Sequence, residues 1–290
     1  MNNFARKARF GTLVIFLFAN FFIWSGLLAE ERGGGLRVAF LDVGQGDAIF
    51  IEAPSGNQML VDGGPGKNVL AELNKVLPAY DRSIDIIVAT HPDKDHIAGL
   101  IDVLTHYQID FVLMTEAVSE SATFAAFEKT VEQSGAQVIR PRRGMIIDLG
   151  DGADFKIIFP DRDMIGQTDV NEGSIVGKVE YGQTAVILTG DAPISIERYL
   201  VLLENENLNA DLLKVGHHGS RTSSSAEFLA AVNPTLAVIS VGKNNSYGHP
   251  HQEVLGGLKN LGTQIFRTDE LGVIIFTSDG QNFVRQWNAK

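Results

Sequence analysis

The sequence predicts an α/β fold in which two sheets pack face to face with helices outside them, a four-layer αβ/βα sandwich preceded by one N-terminal transmembrane helix. Three observations lead there. Strand-like and helix-like segments alternate from residue 36 to the C-terminus with no Pro/Ser-rich gap, repeat or low-complexity tract to divide them. Their order is β-rich, then mixed, then β-rich again, which suits two sheets in one domain. The segment IDIIVAT (84–90) is nearly all apolar, as a strand covered on both faces must be.

Taken in order, LRVAFLDV and DAIFIEA read as paired strands around the glycine turn 44–46, and QMLVD as a third. KNVLAELNKVLPAY has helical spacing, and IDIIVAT follows as a strand. Next come a helix (HIAGLIDVLTHY), a strand (DFVLMT), a helix (TFAAFEKTVEQS), three short strands (QVIR, MIIDL, FKIIF) and the hairpin SIVGKVEYGQTAVILTGD. Helices SIERYLVLLENE, SAEFLAAV and HQEVLGGLKNLG then alternate with strands DLLKVG, TLAVISV and QIFRTD, and GVIIFTSD and NFVRQW close the second β-rich stretch.

Residues 10–28 are uncharged and apolar over about one bilayer thickness; Arg6, Lys7 and Arg9 precede them, and Glu30 and Glu31 follow. The positive-inside rule then holds the N-terminus in the cytoplasm and exports the rest. The run is longer than a signal-peptide core and Leu27 occupies the −3 position before Ala29, so a retained anchor is expected rather than a cleaved signal. The organisation is therefore an anchor or signal segment over 1–29, a linker over 30–35 (EERGGG) and a single domain over 36–290.

With 290 residues, 44% hydrophobic and 20% charged, the chain can bury a core, and disordered or coiled-coil readings fail. The balance of 35 acidic to 24 basic residues offers no bulk attraction to nucleic acid, so an anionic substrate needs a local basic group or a metal. The absence of Cys removes disulfides, thiolate nucleophiles and thiolate-ligated zinc.

Candidate chemistry gathers just past the C-terminal ends of the apolar strands, where side chains converge on one rim of a sheet. His91-Pro92-Asp93-Lys94-Asp95-His96 follows IDIIVAT, so His91 and Asp93 point one way from extended chain while Asp95 and His96 sit on the turn into a helix. Each pair joins an imidazole and a carboxylate, which suits two divalent ions a few ångströms apart and metal-assisted hydrolysis. Taken alone, the hexapeptide is equally compatible with a solvated helix start. Asp191 ends TAVILTG, His217 and His218 end DLLKVG, and His249 lies in the loop after TLAVISV; spacing does not separate the two adjacent histidines.

HPDKDH, the upstream LDVGQGDAIFIEAPSGNQMLVDGG, and then LTGDA, LLKVGHHGS and YGHPH together resemble the metallo-β-lactamase superfamily. More narrowly, the chain is similar to the C-terminal hydrolase domain of ComEC-type DNA-internalisation (competence) proteins and their stand-alone relatives, which include phosphorylcholine esterases. The resemblance implies a first metal on His91, Asp93 and His217, a second on Asp95, His96 and His249, and Asp191 bridging them. Asp95 and Asp191 are then the catalytic carboxylates, and Asp95 is also placed to accept a proton. It further implies a supporting place for Asp62, His218, Asn171 and Ser174. Asp93 stands where the superfamily motif has a second His, a harder ligand that opens the choice between Zn²⁺ and Mn²⁺. Ser220, Arg221, Lys243 and Asn245, on loops beside the ligands, are candidate phosphate contacts, the first two through free N–H groups of a helix start near Ser224.

The implied function is an extracytoplasmic binuclear phosphodiesterase or nuclease. Its rivals are an esterase of small or cell-envelope phosphodiesters and a non-catalytic accessory module of DNA uptake. Expected partners are single-stranded DNA or another phosphodiester, the membrane through the N-terminal helix, and a separate DNA channel, because one crossing segment makes no pore.

Overall fold

The computed structural model describes residues 11–12, 14–16, 18–20, 34–166 and 169–286. Most of the expected anchor lies outside the described residues. Those described within 11–20 are helical, and among the described residues no helix is long and apolar enough to cross a membrane. Residues 35–290 form a compact unit of their own.

Among the described residues, fifteen strands build two sheets in that unit. The first contains β1 (Leu36–Phe40), β2 (Ile49–Glu52), β3 (Gln58–Val61), β4 (Ser83–Ala89), β5 (Gln108–Met114) and β6 (Gln137–Ile139), and the late strands β14 (Ile274–Ser278) and β15 (Phe283–Gln286) extend it beyond β1. The second holds β7 (Ile146–Gly150), β8 (Ala153–Phe159), β9 (Val176–Tyr181), β10 (Thr184–Leu188), β11 (Leu212–Lys214), β12 (Leu236–Ile239) and β13 (Gln264–Arg267) in sequence order. Helices α1 (Asn68–Val76), α2 (Lys94–His106) and α3 (Ala122–Ser134) cross between strands of the first sheet. Helices α4 (Ile194–Glu204), α5 (Ala226–Val232) and α6 (Gln252–Asn260) do so in the second, and the short α7 (Thr268–Leu271) follows β13 where the sequence reads as strand.

The period-two alternation of strands sorts their side chains into three cores. Val38, Phe40, Ile49, Ile51, Val88, Val186, Leu188, Leu212 and Val238 fill the space between the sheets. Ala39, Phe50, Leu60, Ile87 and Ala89 turn outward to Leu73, Leu100, Val103 and Phe127 of the first helical layer. Ala185, Ile187, Leu213, Ala237 and Ile239 do the same toward Ile196, Leu200, Phe228 and Leu258 of the second. The result is the four-layer sandwich expected from the order of elements.

What positions the site is the parallel part of each sheet. β3, β4 and β5 run parallel, as do β10, β11, β12 and β13, so the ends of β3, β4, β10, β11 and β12 open on their carboxyl side. The start of α2 is locked to the loop after β3 by backbone alone: Gly63 N donates to His96 O at 2.7 Å and Gly99 N to Gly64 O at 2.9 Å. A Cβ at position 99 would sit 1.9 Å from Gly63 O. Gly99→Ala is therefore expected to lower stability by about 1–3 kcal/mol, the usual cost of overpacking, read as a fall in thermal midpoint; an unchanged midpoint would show that the two segments part freely.

Candidate metal centre

Asp191, at the end of β10, is the hub. Its Oδ2 lies 3.9 Å from His91 Nε2, 3.3 Å from His96 Nε2, 3.7 Å from His217 Nε2 and 3.5 Å from His218 Nε2. Asp93 Oδ2 stands 3.6 Å from His91 Nε2, and Asp95 Oδ2 stands 3.5 Å from His218 Nε2. The hexapeptide thus divides as expected from extended and helical geometry, with Asp93 beside His91 and Asp95 turned to the other side of Asp191.

Each of these four imidazoles is oriented through its Nδ1. Thr90 Oγ1 meets His91 at 3.0 Å, Asp62 Oδ2 meets His96 at 2.8 Å and Thr222 Oγ1 meets His217 at 3.0 Å. His218 Nδ1 faces Ser240 O at 3.0 Å and Asp47 Oδ1 at 3.2 Å. Such partners fix the ring and leave Nε2 for a ligand. The Nε2 atoms of His91, His96 and His218 are buried and have no hydrogen-bond partner, nor has Asp191 Oδ1. Buried polar atoms are rarely left unmatched, so the donor set fits divalent cations. Close triads of ligand atoms are His91, His96 and Asp191, and Asp95, His96 and His218, with Asp47 closing two more.

His249 departs from this pattern. Its Nδ1 is buried without a partner, and its ring centroid is 5.7 Å from that of His217 and 4.9 Å from that of His251. Among the described residues it joins no close triad, like Asp93 and His217, but unlike His217, whose Nε2 is 3.7 Å from Asp191, it has no carboxylate oxygen within 4 Å. Where the resemblance puts His249 beside Asp95 and His96, the structure brings His218, a residue expected only in support. The cause is local. His217 and His218 both take left-handed backbone, φ 47° and 54°, which turns one ring outward, half-buried, and the other into the core. His218→Ala is expected to lose one metal equivalent, and His249→Ala to keep two; metal analysis of both variants decides the assignment, and the reverse pattern would restore His249.

Electrostatics favour cations here. Burial opposes charge on His96, but the carboxylates of Asp191 and Asp62 outweigh it and hold the imidazole well above its ordinary value. For His218, burial is likewise overcome by Asp191 and Asp47, which raise it to about 9. Asp191 is held well below the carboxylate range: burial pushes it up, and His96 and His218 more than reverse this. Burial, then His217 and His218, press His249 down to about 4. Because the folded His218 value lies above its unfolded one, near 6.5, its contribution to metal-free stability is complete below that value and is lost as pH rises through about 9. A cation must displace the proton, so metal affinity is expected to climb with pH to about 9. Titration calorimetry in buffers of different ionisation enthalpy should register protons released at pH 7, and a buffer-independent heat would count against it.

The supporting residues divide. Asp62 also accepts from Thr90 N at 2.9 Å and Thr90 Oγ1 at 2.7 Å, tying the ends of β3 and β4 together. Ser174 Oγ receives Asp191 N at 3.3 Å and so positions the hub, while Asn171 has a buried Oδ1 without a partner. Two of the expected phosphate contacts are corrected. Ser220 is buried and its Oγ is engaged with Thr222 at 2.9 Å, and Asn245 spends both ends of its amide inside its own loop. The helix N–H groups expected to be free are also taken, since Ser224 N and Ser225 N donate to Glu197 at 2.5 Å and 2.7 Å. Arg221 and Lys243 remain exposed.

Sequence reasoning passed over Asp47 and Lys214. Lys214 is fully buried, donates to Val215 O at 3.0 Å and pairs with Asp47 Oδ2 at 2.6 Å, and Asp47 in turn meets His218. The available signal was a charge within an otherwise apolar strand, rarely buried unless paired.

Residues 41–243 match the family model described as the metallo-beta-lactamase superfamily. The chain is 31% identical over 255 residues to ComE operon protein 3 of Bacillus subtilis, covering 82% of this chain and 32% of that protein. It is 31% identical over 243 residues to competence protein ComA of Neisseria gonorrhoeae, with the same two coverages. Recombination protein 2 of Haemophilus influenzae is 29% identical, over 82% of this chain and 28% of its own length. The chain thus spans about a third of the length of these relatives. Among solved structures, CmlA, a diiron β-hydroxylase from Streptomyces venezuelae, superposes with a TM-score of 0.53 at 14% identity, covering 86% of this chain and 54% of that one. At that identity the likeness is one of fold.

Proposed function

The chain belongs to the metallo-β-lactamase superfamily, and on that footing we propose that it is a membrane-anchored, outward-facing, metal-dependent hydrolase of phosphodiesters, of the nuclease kind. The observation that carries the hydrolase reading is the convergence of three unpartnered imidazole Nε2 atoms on one buried carboxylate. Two divalent ions, Zn²⁺ or Mn²⁺, would be held by His91, Asp93 and His217 on one side of Asp191 and by Asp95, His96 and His218 on the other. Such ions supply Lewis acidity toward a phosphoryl oxygen and make water a nucleophile near neutral pH.

The chain's own residues orient the set and exclude water from its rear. Thr90, Asp62, Thr222 and the Ser240 carbonyl fix the rings from behind, Asp47 lies against His218, and the inter-sheet core closes the interior side. Asp93 and Asp95 are partly exposed and mark the open side, where a substrate enters and where Asp95 can take a proton. DNA as substrate is supported by relatives named as competence and recombination proteins. The apolar segment 10–28 is the proposed membrane anchor. The placement of Arg6, Lys7 and Arg9 before that segment supports an extracytoplasmic domain.

The full chain in detergent, loaded separately with Mn²⁺ and Zn²⁺, is expected to cleave single-stranded DNA, and Asp191→Ala to abolish this. Turnover of only a small chromogenic phosphodiester would move the reading to an envelope esterase. Metal binding without turnover of either substrate would reject phosphodiester hydrolysis.

A further inference from the structure

We propose, resting on the reading of this chain as a hydrolase of DNA, that loop 242–251 is a nucleotide-recognition platform. On it Tyr247 stacks one base of a single strand, and Lys243 takes a backbone phosphate beside the metal centre. Tyr247 is 64% exposed, and its ring lies 5.6 Å from that of His249 at an interplanar angle of 24°, so it is held nearly parallel to a neighbour while most of it faces solvent. His249 in turn sits 5.7 Å from His217, whose Nε2 is 3.7 Å from the hub carboxylate.

The loop is preorganised. Asn245 Nδ2 donates to Gly242 O at 3.1 Å and His249 O at 2.7 Å, and its Oδ1 accepts Tyr247 N and His249 N at 3.1 Å each. Gly242 N reaches across to Gln45 Oε1 at 3.1 Å, pinning the loop to the segment after β1. A rigid loop presents its aromatic without the ordering cost a mobile one incurs on binding.

Beside it opens a cleft of about 620 Å³, lined by Lys243, Asn245, His249, Arg267, Asp269 and Glu270 among others. The Arg267 guanidinium is neutralised by Asp269 at 2.7 Å and Glu270 at 2.9 Å, which leaves Lys243 as the unpaired cation among the described residues that line the cleft. One cation beside one exposed ring reads a single nucleotide unit rather than a long backbone track. This reconciles a nucleic-acid substrate with an acidic chain, because stacking on a ring tolerates any base and needs little net charge.

The test is fluorescence anisotropy with the full chain in detergent and chelator, so that binding is read without cleavage, using an end-labelled oligothymidylate and an abasic oligonucleotide of equal length. The wild type is expected to prefer the oligothymidylate. Tyr247→Ala should weaken that binding about 5- to 150-fold, the span of base–aromatic stacking, and erase the preference, whereas Tyr247→Phe keeps it. Lys243→Met should weaken both oligonucleotides alike and reduce the slope of log affinity against log salt by about 0.7. Equal binding of both oligonucleotides by the wild type, a preference that survives in Tyr247→Ala, or no oligonucleotide binding overturns the platform. In each of those cases turnover of the chromogenic diester separately decides whether the hydrolase reading stands.

Discussion

Asp191→Asn is expected to leave a folded protein that binds neither ion tightly and loses activity by more than the roughly 10- to 100-fold typical of residues that merely support a ligand. The reason is geometric. Four imidazole Nε2 atoms lie 3.3–3.9 Å from one oxygen of this carboxylate, and among the described residues no other carboxylate is so placed. Asparagine preserves shape but removes the charge that holds protons, or cations, among buried rings. In the metal-free variant His96 and His218 lose the largest influence raising them and should titrate closer to the ordinary imidazole value, which NMR of the ring protons would follow. The prediction fails if Asp191→Asn still carries two metal equivalents, or if its activity falls no further than that of Asp62→Asn, whose carboxylate touches only His96 among the ring nitrogens.

Much of this centre was legible because parallel strands covered on both faces read as apolar runs, and the residues just past their carboxyl ends share one rim. That rule alone found the hexapeptide 91–96, Asp191 and the His217–His218 pair. It does not say which of two adjacent histidines faces inward: both take left-handed backbone, and the inward one, His218, is marked only by its contacts with Ser240 and Asp47 from elsewhere in the chain. Ser220 and Asn245 failed as phosphate contacts for a related reason. Polar side chains near a site also serve the loop that carries them, and their partners are invisible until the loop is folded. Glu197, on α4, occupies the start of α5 by a contact between helices that no local pattern announces.

The second large effect is expected at Lys214→Met. Lys214 and Asp47 are both buried, at 0% and 1% exposure, and their 2.6 Å pair is the inner end of a line that runs through Asp47 to His218 and the hub. Breaking a buried pair by removing one partner costs about 3–5 kcal/mol, far more than the net worth of the pair, because the other charge stays desolvated. Asp47 is held below the ordinary carboxylate range, burial being overcome by Lys214 and then His218, so without Lys214 it must lean harder on His218 or take a proton. Either response alters the ring's orientation at Nδ1 and should lower activity by about 10- to 100-fold. Lys214→Met with Asp47→Asn should be more stable than Lys214→Met alone, since the stranded charge is gone, yet stay as inactive, since His218 still lacks its carboxylate. Denaturant melts and rates measured on the two singles and the double separate these effects. A double variant that recovers activity along with stability would show that Asp47 serves the core and not the metal centre.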